Sequence, residues 1–217
     1  MTTAVTASDR RRLLEIGLIA LTGLGKFVFM DWLNWRLPYI LTACLFWMGY
    51  ILYRRRQSPN ILSQWGLSTN RFQKTFLELL PLALLSTLAF VFLGEYLETS
   101  VLNRNVLPLL LVYPLWGIIQ QFLIIGLIAQ NLQQLEAVDL SKGWIVLIAA
   151  LVFAVVHFPY LLLVGGTFVL ALLYTWLFLK GRNLVVMGIY HGWLGAFFFY
   201  TLLGRDPWNE VFAQWMG

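Results

Sequence analysis

The sequence predicts an all-α, polytopic transmembrane helical bundle of about seven to eight spans, and three observations predict it. Of the 217 residues, 60% are hydrophobic and only 12% charged, with a mean hydropathy of +0.75. A soluble domain of this length could not cover so much apolar surface. Apolar stretches close to the roughly 20 residues that a helix needs to cross a bilayer recur along the chain. Finally, the cations sit in short connections between those stretches, so the net charge of +5 reads as a membrane-orientation signal. A nucleic-acid partner is not expected.

The first span runs from about Leu13 to Met30, with Glu15 and Lys26 near its ends, where long charged side chains snorkel or pair. After the Trp-rich turn Asp31 to Arg36, the second runs from about Leu37 to Tyr53. The polar connection Arg54 to Lys74 follows, with an amphipathic piece around Ile61 to Phe72. The third span is about Thr75 to Leu97, with Pro81 near its start and Glu95 and Glu98 at its end, an exposed outer rim. The fourth, Val106 to Ala129, is open to kinking at Pro108 and Pro114. The fifth, about Trp144 to His157, is short and stopped by Pro159. The sixth covers about Leu161 to Leu179, with Gly165-Gly166 for close helix contact. The seventh covers about Leu184 to Leu203, ahead of an interfacial tail, Arg205 to Gly217. A short or re-entrant eighth helix would change only the C-terminal side.

Trp32, Trp35, Trp65, Trp144 and Trp208 fall near span ends, as interfacial anchors do. The single Cys44 lies inside a span and forms no internal disulfide. Arg10-Arg11-Arg12 precedes an apolar run without a small-residue cleavage site, so no cleavable signal peptide is expected. No internal repeat or low-complexity linker divides the chain, which reads as one integral membrane domain over residues 1–217. With seven crossings, eleven of the 15 Lys and Arg residues share the side of the N-terminus, and only Arg36, Arg104 and Arg205 take the other. That places the N-terminus in the cytoplasm, in a bacterial-type inner (plasma) membrane.

The chemistry-bearing residues are few. Gln120 and Gln121 sit halfway along the fourth span, where lipid offers no hydrogen-bond partner, so each needs one from protein. The only two histidines, His157 and His191, also lie in or at the ends of apolar segments. The expectation is that these four side chains converge within about 3–4 Å, directly or through a water. A plainer reading is interhelical glue, worth about 0.6 kcal/mol per bond.

In order, the chain presents a Gln-Gln pair, then Phe153-Ala154-Val155-Val156-His157, then His191-Gly192-Trp193-Leu194-Gly195. This order resembles the CPBP family of intramembrane proteases (CAAX proteases and bacteriocin-processing enzymes), over roughly Leu107 to Tyr200. That family carries Glu-Glu-x-x-x-Arg, Phe-x-x-x-His and His-x-x-x-Asn on separate membrane helices. The resemblance implies a CPBP core and puts Gln120, Gln121, His157 and His191 at the catalytic positions. It puts Phe153, Ile125 and Gly195 at the accompanying motif positions.

The departures concern the chemistry. Glutamine stands where the resemblance implies two glutamates, Ile125 where it implies arginine, and Gly195 where it implies asparagine. A buried glutamate can accept a proton near neutral pH; an amide cannot. Glutamine is also a poor ligand for catalytic zinc, so no metal and no cofactor is expected. Carboxylate and guanidinium are missing together, which avoids a stranded buried cation and reads as a self-consistent neutral site. The leading expectation is a CPBP-fold protein that is non-hydrolytic or strongly altered and binds membrane lipids, or a transmembrane or lipidated protein or peptide, in the former substrate groove. The alternative is an active CAAX-type endopeptidase in which His157 is the base and a glutamine the oxyanion donor. A small-solute carrier is a third reading, weakened by the absence of inverted repeats.

Overall fold

The computed structural model describes residues 8–213, and helix is the only regular structure among them. Its elements are α1 (Asp9–Gly25), continued by a π-helical segment π1 (Lys26–Trp32), α2 (Arg36–Gln57), α3 (Ile61–Gln64) and α4 (Phe72–Tyr96). Next come α5 (Val106–Gln121), π2 (Phe122–Ala129) and α6 (Gln130–Gln134), which follow one another without a break. The last are α7 (Lys142–Val155), α8 (Leu161–Leu179), α9 (Leu184–Thr201) and a short π turn, π3 (Asn209–Ala213).

All seven expected spans exist as helices. Five are long and apolar enough to cross a membrane: Asp9–Trp32, Phe72–Tyr96, Val106–Gln134, Leu161–Leu179 and Leu184–Thr201. This is an integral membrane protein, with fewer qualifying helices than the seven to eight spans expected. Helix α2 has the length, but its aromatic residues and terminal arginines dilute its hydropathy. Helix α7 has the hydropathy but only 14 residues, about 21 Å of rise against a hydrocarbon core of about 30 Å.

The chain packs as two compact units. The first joins the chain up to Asn70 with Gln121–Leu184; the second joins Arg71–Gln120 with the chain from Val185 onward.

In the first unit, α7 packs against α8 and π2, and α1 packs against π2 and α6. Every residue of π2 is buried. Phe122 meets Trp47 and Trp65 edge-on, with ring centroids 6.3 and 5.0 Å away. Trp65 is therefore a core residue, 3% exposed, and not the interfacial anchor expected. Trp32, Trp35 and Trp144 do lie exposed near helix ends. The amphipathic piece expected around Ile61 reduces to the four residues of α3. At the charged end of the unit, Glu15 and Arg54, both 3% exposed, pair at 2.6 Å. The same carboxylate accepts from Tyr50 Oη and from Asn131 Nδ2, at 2.6 Å for the latter. The partner expected for Glu15 is thus an arginine 39 residues away.

In the second unit, the prolines decide the contacts. Pro108 sits in the first turn of α5, where no intrahelical N–H is needed. Pro114 lies inside α5 and leaves the carbonyl of Leu110 without its backbone donor. The indole Nε1 of Trp193, on α9, fills that gap at 3.0 Å. One turn earlier on α9, Tyr190 donates to the Phe76 carbonyl of α4 at 3.0 Å, near Pro81. Helices α5 and α9 touch backbone to backbone. A Cβ on Gly117 would lie 2.3 Å from the Gly188 oxygen, and one on Gly192 would lie 2.7 Å from the Pro114 Cα. Only glycine permits this crossing.

The tail returns to the start of α5. Asp206 caps the turn that begins at Pro207, accepting from the Asn209 N–H at 3.0 Å. It also accepts from Tyr200 at 2.7 Å, Asn103 at 3.0 Å and Asn105 at 2.9 Å. Beneath it Trp208 packs on Leu109, Ala196 and Tyr200.

Candidate functional site

Helix α7 begins on the Ser141 cap and ends at Val155, and the chain turns through residues 156–160 before α8. The backbone groups of this turn lie outside any regular helix and need partners of their own. They have them. His157 N–H donates to Ala154 O at 3.0 Å, Phe158 N–H to Val155 O at 3.1 Å and Tyr160 N–H to His157 O at 3.3 Å. The carbonyl of Phe158 accepts from Lys26 Nζ at 2.9 Å, and Lys26 also pairs with Asp31 at 2.6 Å. One turn before Lys26, a Cβ on Gly23 would come 3.0 Å from Val156. The end of the first span thus seats directly on the turn that carries His157, with its cation near the negative end of α7.

His157 is half-buried and packs edge-on against Phe153, with ring centroids 4.7 Å apart. Its Nδ1 lies 2.7 Å from the Phe153 carbonyl oxygen. A carbonyl only accepts, so Nδ1 carries the proton in the neutral ring and Nε2 carries the lone pair. Spacing of i to i+4 makes this bond, and it orients the imidazole without a carboxylate. Phe153, 1% exposed, is therefore both packing and positioning residue.

Gln121 is 1% exposed and ends α5, while Gln120 is half-buried. Consecutive helical positions point about 100° apart, and the two amides fall in different units. Ile125, fully buried, belongs to the apolar shell of π2. The Gln130 N–H bonds back to the Ile125 carbonyl, the five-residue step of a π-helix. No charge could sit at position 125 without a buried partner.

His191 is 7% exposed. It shares a face of α9 with Gly195, four residues on. A Cβ on Gly195 would come 3.4 Å from the Tyr113 ring and 3.9 Å from the His191 ring. Tyr113 thus occupies the space that a longer side chain at 195 would need.

The first unit therefore holds Gln121, Ile125, Phe153 and His157, and the second holds Gln120, His191 and Gly195. Tyr113 was not singled out from the sequence, and Lys26 was expected only to snorkel or pair near the end of the first span. The signal for Lys26 was present, a lysine inside an apolar span, but its partner is a backbone carbonyl that no sequence pattern marks. Among the described residues, no group of His, Cys, Asp and Glu is placed to hold a metal ion.

With this geometry in hand, residues 102–197 match the family model for Rce1-like proteins, described as type II CAAX prenyl endopeptidase Rce1-like. Over this stretch the chain is similar to the Rce1-like family. The match spans α5 to α9 and so includes all seven motif positions, in agreement with the CPBP core expected over about residues 107–200. No curated protein and no solved structure matches the chain. The Rce1-like stretch carries both histidines and the adjacent amides Gln120 and Gln121.

Proposed function

We propose that this protein is a non-hydrolytic or strongly altered Rce1-like protein, which binds a membrane-embedded partner or lipid on the surface that active relatives give to substrate. Ile125 carries this reading. A fully buried isoleucine at the arginine position, in a π2 segment whose eight residues are all uncharged, goes with the neutral Gln120-Gln121 pair. Restoring one glutamate would bury a lone carboxylate, so the site is consistent only as a neutral one. The N-terminus lies in the cytoplasm of a bacterial-type cell, as the cation distribution supports.

A second reading has one observation in its favour. The carbonyl of Phe153 sets His157 with a basic Nε2, the orientation a general base requires. In that reading an amide at 120 or 121 donates to the oxyanion.

Proteolysis of a panel of membrane-spanning and prenylated peptides by purified protein separates the two, run beside His157→Ala and His191→Ala. No cleavage by any of the three folded proteins is expected. Cleavage by the wild type that both substitutions abolish would make the glutamine site an altered catalyst and end the non-hydrolytic reading.

A further inference from the structure

We infer that one end of the first unit is a docking face for anionic phospholipid headgroups. Hydrogen bonds tie the ends of its helices together there. Asp9, at the start of α1, accepts from the N–H groups of Glu136 and Ala137 at 3.1 and 3.2 Å, on the connection that leads to α7. The Glu15–Arg54 pair brings the end of α2 to the same level. Asn183, after α8, donates to Ser68 O at 2.6 Å, and Gln130 donates to Gln64 O at 2.7 Å.

The consequence is a gathering of charge. Arg10, Arg55, Arg56, Lys142 and Lys180 all lie exposed at this end, against the exposed acids Glu136 and Asp139. Asp9 and Glu15 are already taken up by Arg12 and Arg54. At the opposite end, Lys26 is engaged by Asp31 and the Phe158 carbonyl.

The tryptophans indicate a lipid rather than a soluble acidic partner. Trp144 is 59% exposed beside Lys142, and Trp176 is 47% exposed with the Lys180 ammonium 3.4 Å over its ring. Indoles at that position settle at the headgroup level, which puts the cations against the phosphate layer. Clusters of four to eight cations beside membrane helices hold anionic lipid in this way. Positive charge on one side of a membrane sets orientation; its concentration around four helix ends of a single unit adds a lipid preference.

The test is electron paramagnetic resonance of spin-labelled phosphatidylglycerol and phosphatidylcholine around the purified full chain in vesicles. The expected result is a preference for phosphatidylglycerol of at least about threefold, fading towards one at about 1 M salt. Arg55→Gln with Arg56→Gln should lose about half of the preference, while Arg36→Gln, at the other end of α2, keeps it. Equal association of the two lipids with the wild type at low salt overturns the proposal, and that comparison needs no variant to fold. A preference removed by inorganic phosphate, but not by chloride at the same ionic strength, would mark a free-phosphate site and overturn the lipid assignment.

Discussion

The imidazole Nδ1 of His157 stands 2.7 Å from the carbonyl oxygen of Phe153, one turn back on the same chain segment. That spacing lets a carbonyl of the last turn of α7 fix the tautomer. With only two histidines in the chain, nitrogen-15 NMR of histidine-labelled protein gives two ring systems, and His157→Ala assigns them. His157 is expected with its neutral proton on Nδ1. A proton on Nε2 would remove the structural basis for a basic Nε2.

Lys26 supports the same turn. Lys26→Met leaves the Phe158 carbonyl without its lysine donor, at a cost of about 0.5–1.5 kcal/mol. The His157 resonances should shift or broaden, while those of His191 stay in place. Unchanged spectra for both would mean that the turn is held without the lysine.

Trp193 and Pro114 should behave as a pair. Trp193→Phe removes the indole donor from the Leu110 carbonyl, and about 1–3 kcal/mol of stability should go with it. Pro114→Ala supplies a backbone N–H to that carbonyl, so Trp193→Phe should cost less in the alanine background. A double-mutant cycle on thermal unfolding in detergent reads the coupling. Strictly additive losses would show that the carbonyl does not join the two positions.

Glu15 and Arg54 are both buried, so breaking the pair strands a charge. Glu15→Gln is expected to destabilise by about 3–5 kcal/mol, and Glu15→Met with Arg54→Met by less than the single change. Equal losses in the single and double variants would place the stabilisation in packing instead.

Asp206 provides a pH signature outside the spans. Its partial burial alone would raise the carboxyl, but hydrogen bonds from Tyr200, the Asn209 N–H, Asn105 and Asn103 outweigh it and hold it below the ordinary 3.8. A lowered folded value means that the ionised form contributes stability at neutral pH and loses it as pH falls through that depressed value. The stability gap between wild type and Asp206→Asn should therefore be full at neutral pH and close below about pH 4. A gap that does not change with pH would mean that the carboxylate charge is not what these donors hold.

The sequence alone determined that this is a helical membrane protein and the place of nearly every helix. Hydrophobic run length and the punctuation of proline and charge are local signals, and the bilayer makes them decisive because helix satisfies its backbone without outside help. The amide pair, the two histidines, Ile125 and Gly195 could all be read from motif order. The tertiary structure decided what those residues touch. Trp65 became core because Phe122, far along the chain, came to meet it, and Glu15 found Arg54 across two helices. Lys26 found a carbonyl, and Trp193 found the one that Pro114 had left open. Such partners are set by where helices cross, and a backbone carbonyl leaves no mark in a sequence that could announce it.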